Sequence, residues 1–281
     1  MNTVCRIGIF KLLIRHQLKL KGLAMQTVSY DIEDQVGVII LNNPPLNLLS
    51  QQVTDELLGL ISDIENNLPR SLLIRAEGKA FCGGADVSRF KGMTPEQISS
   101  ELKEFLAIIQ RIEKLPIPTI AAVQGVCAGG GLEIVLAFDL IVAGEGAKFA
   151  QSEAVIGAIP FAGGAQRLAE RANPAKAKEI YYQTGFFPAA NFEQWGIINK
   201  LYADEALHSA ALKEASRLAK GPTQAYAYTK QIINSYALHG KEAADALTLE
   251  SGVSIFETND FKNGVASLLK EGPGKATFEG K

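Results

Sequence analysis

The sequence predicts an α/β core followed by a helical C-terminal region, and three observations carry that prediction. Short β-rich runs alternate with helix-period stretches from Met25 onward, Gly and Pro clusters punctuate them, and strand patterns disappear from about Asp204. A chain of 281 residues has room for one large domain with an appendage, since domains usually run about 100 to 200 residues. The organisation expected is a basic extension over 1–24, the core over 25–203 and the helical region over 204–281.

Taken in order, "VGVIILN" (Val36 to Asn42) reads as a strand ended by Asn43, Pro44 and Pro45. "VTDELLGLISDIEN" places Val53, Leu57, Leu60, Ile61 and Ile64 at helical spacing. "SLLIRAEG" is a second strand stopping near Gly78. After "FCGGADV", Pro95 opens a helix that "PIP" at 116–118 ends before the strand "TIAAV". "DLIVAG" and "AKFAQ" continue the strands. Past Asp204, "EALHSAALKEASRLAKG", "PTQAYAYTKQIINSYALHG" and "KEAADALTLESGVSIFETND" read as successive helices divided by Gly221-Pro222 and Gly240. The chain has no exact repeat, although its strand-strand-helix rhythm is compatible with a degenerate structural one.

Hydrophobic residues make up 47% and charged residues 21%, the profile of a globular protein. Net charge is -2, from 28 basic and 30 acidic residues, which supplies no global field for nucleic acid or for anionic membrane. Neither partner is expected. Cys5, Cys82 and Cys127 are odd in number and lack C-x-x-C spacing, so neither a disulfide framework nor a zinc site is expected, and a reducing, cytoplasmic setting is. Apolar runs fall short of the roughly 20 residues that span a bilayer. The first 24 residues carry Arg6, Lys11, Arg15, Lys19 and Lys21 and no acid. They read either as an amphipathic targeting segment or as an upstream extension preceding a start at Met25; the absence of serine and the broken apolar block favour the extension.

Two glycine-rich loops, "AFCGGADV" (Ala80 to Val87) and "VQGVCAGGG" (Val123 to Gly131), each follow a strand and precede a helix. Bare backbone there either holds an anion on exposed N–H groups or only lets helix and strand pack closely. Neither loop is G-x-G-x-x-G or a P-loop. With only His16, His208 and His239 and no G-x-S-x-G elbow, nucleophilic triads have little support. Cys82 and Cys127 read as packing residues. The acids are more suggestive, because Glu133 in "LEIVLAF" and Glu153 in "FAQSEAVIGAIP" both stand between apolar flanks, where a carboxylate needs a partner or a purpose.

These blocks, with "PIPTIAAVQGVCAGGGLEIVLAFDLIVAGEGAKFAQSEAVIGAIPFAGGAQRL" and "TGFFPAANFEQWGIINKLY", resemble in order the crotonase, or enoyl-CoA hydratase/isomerase, superfamily. The resemblance implies a crotonase-like spiral of ββα turns with a helical C-terminal region. It also implies an acyl-CoA thioester substrate, no metal or redox cofactor because coenzyme A is part of that substrate, and a homotrimer or dimer of trimers. It places an oxyanion hole on the N–H groups of Ala85 and Gly130, with Asp86 ordering the loop beside it. It makes Glu133 and Glu153 the catalytic pair, with Glu133 activating water and Glu153 taking part in proton delivery. Asp86, Val87, Leu46 in "NPPLNLLS", and Phe161 become substrate or CoA contacts, and the basic residues of "GPGKATFEGK" become candidates for its phosphates. One departure stands out, since Phe161 follows Pro160 where the hydratase pattern has glycine. The implied activity is enoyl-CoA hydration. The alternatives are an isomerase, a hydratase of a dienoyl or cyclic thioester, and a non-catalytic acyl-CoA- or RNA-binding member.

Overall fold

The computed structural model describes residues 26–281; the basic segment 1–24 and Met25 lie outside the described residues. The principal sheet has six strands in the order β1-β2-β3-β4-β6-β9. These are β1 Val28–Glu33, β2 Val36–Leu41, β3 Ser71–Ala76, β4 Thr119–Val123, β6 Leu140–Gly144 and β9 Lys200–Tyr202. β1 and β2 form an antiparallel hairpin, and every later pairing in this sheet is parallel. Three short strands, β5 Val126–Ala128, β7 Lys148–Ala150 and β8 Phe187–Pro188, make a second sheet in the order β5-β7-β8. Twice the chain gives one strand to the large sheet and the next to the small one before a helix, β4 then β5 before Gly130–Leu136 and β6 then β7 before Gly164–Arg171, the ββα turn that the resemblance implies.

All six residues of β2 are buried, as expected of a strand covered on both faces. Ile39 and Leu41 join the larger core, whereas Val36, Val38 and Ile40 face a second cluster on the other side. That cluster is closed by α7 (Leu207–Ala219), which lays Leu207, Ala211, Ala215 and Ala219 against the sheet at a spacing of four. Alanines there let the helix axis approach the strands closely.

The first two helices follow their sequence signals. α1 (Gln51–Asn66) buries Val53, Leu57, Ile61 and Ile64, with Ser50 as its N-cap; Leu60 is only partly buried. α2 (Pro95–Lys114) starts on a capping box in which Thr94 and Gln97 serve each other's backbone N–H. Next come α3 (Gly130–Leu136), α4 (Gly164–Arg171), α5 (Pro174–Gln183) and α6 (Ala189–Gln194). After α7 the chain is helical, with α8 (Thr223–His239), α9 (Lys241–Glu257) and α10 (Asn259–Glu271). α10 is absent from the sequence-based expectation; it begins where Thr258 accepts the Phe261 N–H, a side-chain cap inside "FETND". Among the described residues no helix is long and apolar enough to cross a membrane.

Candidate active site

The two glycine loops are neighbours in space. Phe81 and Cys82 donate their N–H groups to Val126 O, Ala128 N donates back to Cys82 O at 2.9 Å, and Cys82 and Cys127 face each other across a parallel bridge. Both thiols are buried, and burial pushes the Cys82 thiol up to about 12 and Cys127 well above its ordinary value. They pack, and neither is a nucleophile.

Two glycines in the second loop are required by geometry. Gly129, the residue before α3, has φ +50°, which favours glycine. Gly131 lies so close to the first loop that a Cβ there would stand 2.6 Å from Cys82 Cβ and 2.8 Å from Cys82 O. This contact holds the start of α3 against residues 82–85.

Ala85 and Gly130 come out of this arrangement with free donors. Around Ala85, Leu49 N donates to Gly84 O and Asp86 N donates to Leu49 O, while the Ala85 N–H has no acceptor among the described residues. Gly130 opens α3, so its N–H has no intrahelical acceptor and none elsewhere among the described residues. Both residues line one cleft of about 260 Å³.

Glu133, one turn into α3, lines the same cleft and is only 2% exposed. Its Oε1 accepts the N–H groups of Ala162 at 2.8 Å and Gly164 at 2.9 Å. Burial raises its pKa to about 7; the Gly164 N–H opposes that rise and the Glu153 carboxylate adds to it. Glu153 begins a short 3-10 helix, Glu153–Ile156, and its Oε1 lies 3.5 Å from where a Gly129 Cβ would stand. Burial raises its pKa too, and the Gln151 side chain, donating to the carboxylate, works against the rise.

The 160–164 segment that serves Glu133 is fastened by Arg167 of α4. Its Nη1 donates to Ala162 O and Gly163 O, and its other nitrogens pair with Glu113 of α2, at 2.6 Å for Nη2. Arg167 and Gln151 are site residues that the sequence does not single out. Gln151 shows only as an amide after the apolar end of "AKFA", and Arg167, one of several polar residues in "AQRLAER", carries no signal of its own.

The remaining candidates divide. Val87 and Phe161 line the cleft beside Leu49, Phe90, Leu102 and Phe105, which make its wall mostly apolar. Arg89 secures that wall, pairing with Glu101 and Gln51 and donating to Leu49 O and Thr54 Oγ1 at 3.3 Å. Asp86 is outside the cleft lining and spends its carboxylate on Ser88, accepting the backbone N–H at 3.2 Å and the hydroxyl at 2.6 Å. Leu46 is 45% exposed and also outside the lining, its carbonyl accepting the Gly83 N–H. The C-terminal tail docks elsewhere, Glu279 and Gly280 donating to Asp260 while Arg70 donates to Phe278 O.

Comparison with known proteins agrees with the geometry. The family model described as "Enoyl-CoA hydratase/isomerase" matches residues 31–281. A "Probable enoyl-CoA hydratase" of Bacillus subtilis is 30% identical over 260 residues, covering 92% of this chain and all of that one. An "Enoyl-CoA hydratase, mitochondrial" of Pongo abelii is 33% identical over 248 residues, covering 87% and 83%. A solved enoyl-CoA hydratase subunit from Geobacillus kaustophilus superposes with a TM-score of 0.85 at 31% identity, covering 91% of this chain and 98% of that one. A solved enoyl-CoA hydratase from Bacillus anthracis gives a TM-score of 0.86 at 26% identity, covering 91% and 100%. With the family model matched over residues 31–281 and relatives of 30% identity or more over most of its length, the chain belongs to the enoyl-CoA hydratase/isomerase family, the crotonase superfamily.

Proposed function

We propose that this protein adds water across the 2,3 double bond of an enoyl-CoA thioester. The observation that carries the reading is that Glu133 and Glu153 share one cleft with two backbone N–H groups, at Ala85 and Gly130, that no group of the described chain uses. A thioester oxygen placed between those donors takes up the negative charge as the enolate forms; removing one such donor typically costs 10²–10³ in rate. The N-terminus of α3 adds positive potential at the same place. Water bonds through its oxygen to the β-carbon, gives one proton to the ionised carboxylate, and the protonated partner delivers a proton to the α-carbon. The Glu153 carboxylate helps to raise the pKa of Glu133, so the two titrations are coupled. The reaction as written needs no metal or redox cofactor, coenzyme A being part of the substrate.

Phe161 supports a narrower second reading. Phe161 lines the cleft at the position where the hydratase pattern has glycine, and a side chain of that size there favours a compact, cyclic, aromatic or dienoyl acyl group. The test is to add short and medium 2-enoyl-CoA thioesters and follow loss of the conjugated thioester absorbance. Loss is expected. No loss at any chain length, together with double-bond migration in a 3-enoyl thioester, overturns hydration in favour of isomerisation. Phe161→Gly is expected to shift the acyl preference, and an unchanged preference removes Phe161 from the pocket's selectivity.

A further inference from the structure

Leu49, the second residue before α1, touches both of the free backbone donors in the cleft. Its backbone forms a parallel bridge with Ala85, Leu49 N donating to Gly84 O at 2.9 Å and Leu49 O accepting the Asp86 N–H at 3.2 Å. Gly84 O and the Ala85 N–H belong to one planar trans peptide and point opposite ways, so the bond from Leu49 N fixes the direction of the Ala85 N–H. The Leu49 side chain is 2% exposed and reaches the other donor, since a Cβ on Gly130 would stand 3.0 Å from Leu49 Cδ1.

Leu49 is itself held by Arg89, which sits in the short 3-10 turn Val87–Phe90 that follows Ala85. Arg89 Nη1 donates to Leu49 O and to Thr54 Oγ1 of α1, and Nη2 donates to Gln51 of α1 and to Glu101 of α2. The four terminal N–H groups of the guanidinium thus have four acceptors, and Nε is buried with none. A planar fork can brace two helices in this way, whereas a lysine ammonium cannot reach all four acceptors at once. Glu101 stands one turn before Phe105, and Phe105 also abuts Gly130, its Cε1 lying 3.3 Å from where a Gly130 Cβ would stand. Another arginine provides a contrast. Arg111 joins the same two helices near their C-terminal ends, donating to Glu65 and Ser62 of α1, and does not touch Leu49 or the cleft.

We propose, building on the hydratase reading, that Arg89 is a positioning residue for the oxyanion hole. Through Leu49 it fixes the Ala85 N–H, and through Glu101 and Phe105 it fixes Gly130, so that both donors meet one thioester oxygen. With its terminal N–H groups taken by the chain, it acts through these neighbours and not as a donor to the substrate.

The test reads the donors directly. Butyryl-CoA labelled at the thioester carbonyl has no double bond to hydrate, and its C=O stretch is lowered when donors point at the oxygen. Infrared difference spectra are recorded with the wild type, Arg89→Met, Arg89→Lys and Arg111→Met, each saturated with this thioester. The wild type and Arg111→Met are expected to lower the stretch equally, and Arg89→Met to keep about half of that lowering or less, as one misdirected donor of two implies. With a 2-enoyl-CoA, kcat of Arg89→Met is expected to fall about 10- to 100-fold with KM little changed. Arg89→Lys keeps a cation for Glu101 and gives up the simultaneous bonds to α1, so it serves even if the methionine variant does not fold, and it too is expected to lose part of the lowering. Full lowering in a folded Arg89 variant overturns the proposal. So does an equal loss in Arg111→Met, which would assign the effect to general loosening of α1 against α2. A wild type that binds butyryl-CoA without lowering the stretch removes the oxyanion hole and this proposal with it. A wild type that lowers the stretch but hydrates no enoyl thioester loses the hydratase reading alone, and the infrared comparison still decides the role of Arg89.

Discussion

Glu133 is held where water solvates it least, and that placement works against the fold at neutral and higher pH. Its pKa is raised from the ordinary carboxylate range to about 7. A carboxyl whose folded-state pKa is raised binds more protons in the native than in the unfolded chain between those two values. Its favourable contribution is complete below the unfolded pKa and disappears as pH rises through about 7. Above that, the ionised buried group destabilises the native state. Glu133→Gln keeps an amide oxygen for the Ala162 and Gly164 N–H groups and removes the charge. We expect it to abolish nearly all turnover and yet to stabilise the protein at pH 8 by about 1–3 kcal/mol, a few degrees in Tm, with the gain gone at pH 5. Calorimetry at the two pH values measures this, and equal stability at both would mean that the site solvates Glu133 better than its burial indicates. Both glutamates were legible in the sequence, because a carboxylate between apolar residues is conspicuous. Gln151 and Arg167 were not, since amide and guanidinium groups act here through partners, Glu153 and Glu113, that only the fold brings to them.

At the scale of elements, the site depends on how closely α3 approaches the 82–85 loop. The closest approach is at Gly131, where any side chain meets Cys82. Gly131→Ala must push the helix away from the loop that carries Ala85, and overpacking of this kind costs about 1–3 kcal/mol. The spacing between the Ala85 and Gly130 donors changes with it. A loss of about 10²–10³ in kcat is expected with a smaller change in KM, checked by steady-state kinetics beside a thermal melt. Unchanged kcat in a folded variant would remove the paired-loop account of the oxyanion hole. The sequence made both loops visible through their glycines, and "PIP", Pro95 and Gly240 placed the element boundaries near them. It did not reveal β5 inside "VQGVCAGGG", a three-residue strand defined by its partner β7. It also hid α10, whose start depends on a Thr258 side-chain cap in a stretch that reads as turn.

For the whole molecule, the C-terminal helices leave large apolar side chains exposed. α8 exposes Ile233 and Tyr236 at about 60%, α9 exposes Leu249 at 76%, Val253 at 69% and Phe256 at 64%, and α10 exposes Leu269 at 82%. Leu249, Val253 and Phe256 recur at intervals of four and three, one face of a helix, and α9 buries only Ala244 and Ser251. Exposed apolar side chains on one helix face are a common feature of association surfaces, and we propose that this face is one. Further copies of the same chain are the occupants we expect, in the trimer or dimer of trimers implied by the family resemblance, with the core's spiral left free to carry the cleft. Because these side chains are exposed in the single chain, replacing them costs the isolated fold little, within about 0.5 kcal/mol each. Leu249→Glu combined with Val253→Glu is therefore expected to convert a wild-type trimer or hexamer into monomers that keep their helical circular dichroism, read by light scattering after size exclusion. A wild type that is monomeric at micromolar concentration would contradict the assembly, and an intact oligomer in the double variant would move the interface off α9.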